Sequence, residues 1–242
     1  MMLRDAQPSE TPTEYRYELK FEIFACDAGD LTWLVRTLPA GFRVAYPTRY
    51  VNNIYLDTPT FSDYRLNVMG SANRSKLRVR WYGDVADAST GSVLENKRRR
   101  GLVGTKLQHR LSSWNMDRGS MAESLAPALC DLPDALAPLA ATRRPVLVNR
   151  YRRRYFAASG RDVRLTVDDD LSFGRLDALH RPLISAVHPR AIIELKFPVA
   201  LQAYGFRCAA ALPFRLSRFS KYVEGVRFVY ASGSAAGFSC SE

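Results

Sequence analysis

The stretch Arg74–Gly83, RSKLRVRWYG, sets cations at Lys76, Arg78 and Arg80 and apolar residues at Leu77, Val79 and Trp81. Successive side chains of a strand point to opposite faces, so this segment reads as a strand with one cationic and one apolar face. Six other segments obey the same rule. YELKFEIF sets Glu18, Lys20 and Glu22 opposite Leu19, Phe21 and Ile23; SVLENKRRR aligns Glu95, Lys97 and Arg99; GTKLQHR aligns Lys106, Gln108 and Arg110. NRYRRRYF sets Arg150, Arg152 and Arg154 on one side with Tyr151 and Tyr155 on the other. RLTVDDD aligns Arg164, Thr166, Asp168 and Asp170, and AIIELKFP aligns Ile192, Glu194 and Lys196.

Such alternation most often marks a half-buried antiparallel sheet whose polar face meets water. Two features favour an inverted arrangement. The polar faces are dominated by Arg and Lys, and helical segments lie between the strands, available to cover the apolar faces from outside. The charged faces then point into a closed barrel. Buried unpaired charge is very costly, so an interior of that kind calls for a ligand of high negative charge density.

Composition agrees. The chain has 242 residues with 35 Lys and Arg against 24 Asp and Glu, a net charge of +11, and a hydrophobic fraction of 47%. That is ample for a core and excludes wholesale disorder. A surplus of this size suits an anionic partner. No apolar run is long enough for a spanning helix, and the polar N-terminus lacks the apolar stretch of a signal peptide. The four cysteines are far apart and the three histidines form no metal-type pair, which argues against a zinc site and fits a reducing cytoplasm.

Along the chain, residues 1–13 read as a tail, followed by a strand near 15–25 and a helix with Asp27 or Asp30 as N-cap. A strand at 49–58, a short amphipathic helix at 60–70 and strands at 74–82, 92–100 and 102–112 come next. Residues 114–141 read as two broken helices. Strands return at 145–159 and 161–171, a loop with Pro182 and Pro189 leads to a strand at 190–198, and 199–230 reads as mostly helical. The tail from 231 is rich in Ser, Gly and Ala. One domain over 14–230 is expected, of α+β class: a closed antiparallel β-barrel with peripheral helices.

The pieces RYELKF, RYVNNIYLDT, KLRVRWYG, LENKRRRG with Lys106, NRYRRRYF, RLTVDDDL, AIIELKFP and RFSKYVEG resemble, in order, the VTC domain, the polyphosphate polymerase module of the triphosphate tunnel metalloenzymes. The resemblance covers about residues 15–228. It implies transfer of the ATP γ-phosphate to a growing polyphosphate chain, with Mn2+ or Mg2+. By motif position it places Lys20, Arg78, Arg80, Lys97 and Lys221 at the centre, with Arg150, Arg152, Lys106, Lys196 and Arg218 as further phosphate contacts. Glu194 is the implied metal ligand, and Glu18, Glu22, Glu95 and Asp168 join the metal or pair with neighbouring cations. The chemistry is coherent with those residue types. A terminal phosphate oxygen is already ionised, so phosphoryl transfer needs positioning and charge neutralisation rather than a protein nucleophile.

The first strand reads Glu18-Leu19-Lys20-Phe21-Glu22 rather than the Glu-x-Glu-x-Lys of the CYTH-type branch. Losing that paired-acid order argues against a two-metal hydrolase. The other readings are a triphosphatase of the same fold and a non-catalytic module binding polyphosphate or nucleic acid. RNA binding would set aromatics on the cationic face, whereas Tyr151 and Tyr155 alternate with the arginines. The expected partners are therefore ATP and polyphosphate rather than nucleic acid. A cytoplasmic location is expected, with docking to a separate membrane protein as an open possibility. Arg78→Ala and Arg80→Ala are expected to leave folding intact, since each removes one cation from a crowded positive site.

Overall fold

Strands charged on one side and rich in Leu, Val, Ile and aromatics on the other bury the apolar side under helices. The computed structural model of the chain describes residues 15–24, 28–85, 91–101, 103–114, 120–176 and 182–231. In order they form β1 (Arg16–Phe24), α1 (Ala28–Thr37), β2 (Arg43–Asp57), α2 (Ser62–Val68), β3 (Asn73–Tyr82), β4 (Val93–Arg100) and β5 (Val103–Arg110). Then come α3 (Met121–Leu125), α4 (Ala137–Ala141), β6 (Arg144–Ala157), β7 (Arg164–Leu176), β8 (Pro182–His188) and β9 (Arg190–Pro198). The chain continues through α5 (Gln202–Ala210), β10 (Leu216–Ser217) and α6 (Lys221–Ala231).

Eight strands close a ring in the order β1-β5-β4-β3-β2-β6-β7-β9 and back to β1, every pair antiparallel. β10 and β8 add to its edges, on β1 and β7. The closed α+β barrel expected from the sequence is thus the observed fold. The ring is uneven because its joints differ. β1 meets β9 along its whole length, from Arg16↔Pro198 to Phe24↔Arg190, but meets β5 only at Arg16↔Gly104 and Tyr17↔Val103.

Two apolar clusters lie outside the ring. Leu31 and Val35 of α1, Leu38 just after it, and Cys208 of α5 pack on Phe21, Ile23, Leu165, Val167, Ile193, Leu195 and Phe197. On the other side Met121, Leu125 and Ala140 cover Ile54, Leu56, Leu77, Val79, Trp81 and Leu94. Burial of these side chains contributes about 1.5–3 kcal/mol each before the entropy of ordering is counted. A third cluster joins Phe219, Tyr222, Val226 and Val229 to Val51, Tyr55, Leu147, Tyr151 and Phe173. Here α6 lies against the ring instead of shielding its outside. Gly225 permits the approach, since a Cβ there would meet Leu147 and Phe173 side-chain carbons at 2.6 Å.

Two stretches differ from expectation. The segment read as a loop around Pro182 forms β8, paired through Leu171↔His188 and Leu176↔Pro182. β2 starts at Arg43 rather than at 49, because Pro47 sits in a register shift between Tyr46 and Arg49, where a missing N–H is tolerated. The helix near 60–70 is α2, and its N-terminus is satisfied from a distance. The buried Asp57 carboxylate accepts from the amides of Thr58, Asp63 and Tyr64 and from the Tyr222 hydroxyl, tying α2 to α6. The tail over 1–13 and the cap at Asp27 lie outside the described residues, as does the tail past Ala231.

Candidate functional site

With the apolar faces of β1, β3, β4, β7 and β9 under helices, their charged faces turn into the ring. Cross-strand register fixes which side chains meet there. Asn53 pairs with Arg80, Lys76 with Lys97, Arg78 with Glu95, Glu95 with Gln108, Lys97 with Lys106 and Lys20 with Glu194. The interior therefore holds cations and carboxylates in contact rather than a field of cations alone.

One group centres on Glu95. Its carboxylate receives Arg78 Nη2 at 2.6 Å and Nε at 2.8 Å, and Gln108 Nε2 at 2.5 Å, with Arg80 Nη1 at 3.6 Å. Arg80 also donates to Asn53 at 2.9 Å and to the Tyr151 hydroxyl at 3.1 Å. Burial opposes ionisation of Glu95, but Arg80, Arg78 and Lys106 outweigh it and hold the carboxyl well below its usual range.

A second group centres on Asp168 and Glu194. Arg153 Nη2 donates to Asp168 at 2.6 Å and lies 3.4 Å from Glu194; Lys221 Nζ reaches Asp168 at 2.5 Å and Glu194 at 3.3 Å. Lys196 and Lys20 approach Glu194 at 2.8 and 3.3 Å. Burial again opposes the charge on Glu194, and Lys196, Lys221, Lys20 and Arg153 overcome it, so the carboxylate is ionised.

A third group opens onto a cavity of about 760 Å³ at one mouth, lined by Lys20, Arg74, Lys76, Lys97, Arg99 and Arg218 among others. Lys97 Nζ is 2.5 Å from Glu18 Oε2, yet burial and the nearby Lys20 and Lys196 bring its ammonium down to about 7. Burial with Lys20 and Lys97 likewise depresses Lys76, which donates to Ser220 at 2.8 Å. A polyanion in this mouth would favour the ammonium form of both.

The structure brings together Lys20, Arg78, Arg80, Lys97, Lys196, Lys221 and Glu194, with Lys106 on the same faces and Arg218 at the mouth. It does not bring Arg150 and Arg152 there. On β6, Asn149, Tyr151, Arg153 and Tyr155 pair with inner-face residues of β2, and Arg150, Arg152 and Arg154 project outward. Arg150 stacks on Tyr50, and Arg152 and Arg154 bind Asp169. Arg153 takes the place expected of them. Tyr151 faces inward because its hydroxyl finds Arg80 and its ring meets Arg153 and Lys221 at 5.1 and 4.6 Å. The alternation on β7 also breaks at Asp170, whose φ of 52° and bond to the Tyr50 hydroxyl carry it outside.

No cluster of three or more metal-ligating side chains occurs among the described residues. What fits a hard divalent cation is one ionised carboxylate, Glu194, with phosphate oxygens and water completing the shell. Beside it the buried Thr166 Oγ1 lacks a hydrogen-bond partner, and Glu18 Oε1 has only the Lys20 ammonium at 3.4 Å. Unsatisfied buried polar atoms are scarce in folded proteins; the Thr166 hydroxyl suits a phosphate oxygen or a metal-bound water, and the Glu18 carboxylate oxygen suits a metal-bound water.

The family model described as the VTC domain matches residues 15–230. No curated protein matches the chain. Among solved structures, a conserved hypothetical protein from Pyrococcus furiosus is 11% identical, with 86% of this chain and 98% of that one covered, at a TM-score of 0.49. A protein from Pyrococcus horikoshii is 12% identical over 88% and 99% at 0.49, and the Mimivirus capping enzyme triphosphatase is 9% identical over 82% and 87% at 0.38. Among the described residues no helix is long and apolar enough to cross a membrane.

Proposed function

The chain belongs to the VTC domain family, and from that premise we propose that residues 14–230 form a polyphosphate polymerase that moves the γ-phosphate of ATP onto an inorganic polyphosphate chain inside the ring. The observation that carries this reading is the inward convergence of seven cations, with Arg153, Lys20, Lys196 and Lys221 around Glu194, Arg78 and Arg80 around Glu95, and Lys97 beside Glu18.

In this reaction a terminal oxygen of the acceptor forms a bond to the γ-phosphorus while the bond from that phosphorus to the β-bridging oxygen breaks, releasing ADP. Charge spreads over the transferred group and the leaving oxygen, so fixed cations aimed at those oxygens lower the barrier. Arg78 and Arg80 are held in place by Glu95, Asn53 and Tyr151, and Arg153 and Lys221 by Asp168. They are positioned before substrate arrives, which reduces reorganisation during the reaction. A manganese or magnesium ion held by Glu194 and phosphate oxygens would supply further charge neutralisation.

Incubation of the protein with ATP and Mn2+, read by gel for polyphosphate and by free-phosphate assay, tests the reading. Polymer that disappears in Glu194→Gln is the expected result. Free phosphate without polymer would replace it with a triphosphatase, water having taken the place of the acceptor.

A further inference from the structure

The mouth opposite the 760 Å³ cavity has a different lining. Along β3 the inner face runs Arg74, Lys76, Arg78, Arg80 and ends at Tyr82; along β6 it runs Tyr151, Arg153 and ends at Tyr155. Tyr82 pairs with Val51, Arg49 with Arg153, and Tyr46 with Tyr155, so all four rim residues Arg49, Tyr46, Tyr82 and Tyr155 share the inner face. The Arg49 guanidinium lies 3.9 Å from the centre of the Tyr82 ring and 5.1 Å from that of Tyr155, and its Nε donates to the Tyr155 hydroxyl at 3.2 Å. Tyr46 meets Tyr155 edge-on at 5.7 Å. Tyr46 and Tyr82 remain 48% and 40% exposed, and among the described residues no carboxylate forms an ion pair with Arg49.

Elsewhere in the interior most cations are held by acids, as Arg78 is by Glu95 and Arg153 by Asp168. Here an exposed guanidinium is held by aromatic rings, with ring faces left to solvent. We propose that this Arg49–Tyr82–Tyr155–Tyr46 rim is a stacking platform for the base of a nucleoside triphosphate, whose phosphates then run inward to Arg80 and Arg153. The spacing supports it. Residues two apart on a strand are about 6.7 Å from each other, so Arg80 and then Arg78 follow Tyr82 at intervals suited to a triphosphate tail. Arg153 follows Tyr155 in the same way. Stacking on aromatic and guanidinium planes needs no base-specific hydrogen bonds, so the platform favours nucleotides over bare triphosphate without choosing strongly among bases. The inference rests on the interior being a triphosphate site and adds that nucleotides enter from the tyrosine-rich end.

Calorimetric binding of ATP and of tripolyphosphate to the full chain tests it, with Tyr82→Ala and the charge-preserving Arg49→Lys. Each variant is expected to weaken ATP about tenfold while leaving tripolyphosphate within about twofold, and the unchanged tripolyphosphate value also reports an intact fold. Equal losses for both ligands, or no loss for ATP, would overturn the platform while leaving the triphosphate site standing. Binding of neither ligand by the unaltered protein would remove both.

Discussion

Lys20 Nζ stands 3.3 Å from Glu194 Oε1 across the β1–β9 joint and 3.4 Å from Glu18 Oε1 on its own strand. One ammonium thus joins the carboxylate proposed for the metal to the acid beside it, and the balance of charge there depends on Glu194. Glu194→Gln leaves Lys20, Lys196, Lys221 and Arg153 with one anion fewer in a buried site. Loss of one partner from a buried pair costs about 3–5 kcal/mol. The variant should lose most turnover and its response to Mn2+, and should melt at lower temperature. Polyphosphate should raise its melting temperature more than that of the unaltered protein, because the ligand returns the missing negative charge. An equal rise in both would show that Glu194 does not balance these cations.

The contact of Arg78 with Glu95, in which Nε and Nη2 both donate to Oε2, changes what an alanine variant means. Viewed as a cation in a crowded positive field, Arg78 would be removable without harm to the fold. In the structure its removal takes the closest cation from a buried carboxylate and leaves Glu95 with Gln108 and the more distant Arg80, so Arg78→Ala should destabilise by about 3 kcal/mol. Denaturant unfolding of Arg78→Ala, Glu95→Gln and the double variant would measure the coupling, which should exceed about 1 kcal/mol. Additive effects would exclude it. Arg78→Lys, which keeps the charge, is the better probe of turnover.

Lys97 gives a pH dependence. Its folded value of about 7 lies below the ordinary 10.5, so from pH 7 to 10.5 the unfolded chain holds more protons at this group than the folded one. Its contribution to stability therefore rises with pH across that window. A polyanion reverses the shift by favouring the ammonium, so binding near pH 8 should take up protons. Tripolyphosphate titrations in HEPES and in Tris should differ in apparent enthalpy by the uptake times the difference in buffer ionisation heat. Lys97→Met should shrink that difference. Buffer-independent enthalpies would show that binding does not protonate the group.

The two faces of β6 separate neighbouring arginines. Arg152→Gln alters a 47% exposed side chain paired with Asp169 outside the ring, and turnover should stay within about twofold, since exposed pairs contribute little. Arg153→Gln removes one of the two cations shared by Asp168 and Glu194, the other being Lys221, and should lower turnover about a hundredfold. The reverse order in a steady-state assay would turn the strand over.

That strand also marks where the sequence stops being sufficient. On β1 and β3 the polar and apolar positions alternate cleanly and the inner faces are legible from residue type; β4 and β9 follow the same phase less strictly, with Asn96 and Arg98 on the face opposite Glu95 and Lys97, and Ile192 beside Glu194. NRYRRRYF offers three consecutive arginines, so at least one must face each way, and assigning the tyrosines to a greasy side picks the wrong phase. What decides it is a partner out of sequence: Asp168 inside for Arg153, and Asp169 outside for Arg152 and Arg154. The bulge at Asp170 lies in a run of three identical acids, and β8 is fixed by pairing with β7; neither leaves a local pattern to read. Arg49 and Tyr82 escape notice for the same reason, since each lies at the end of its strand's alternation and they meet only through the β2–β3 register.

The ring closes where β1 meets β9, and this joint has a bearing on how the protein is made. Lys20 and Glu194 are joined there although they lie 174 positions apart in a chain of 242 residues. While the ribosome is still translating, β1 lacks its long partner, its apolar Phe21 and Ile23 lack Ile193 and Leu195 beneath α1, and no enclosed pore exists. A nascent chain short of residue 198 can acquire hairpins but cannot acquire the site, so chaperone demand should fall late in synthesis. Folding after release should be slow, as it is for proteins whose decisive contacts are the most distant in sequence.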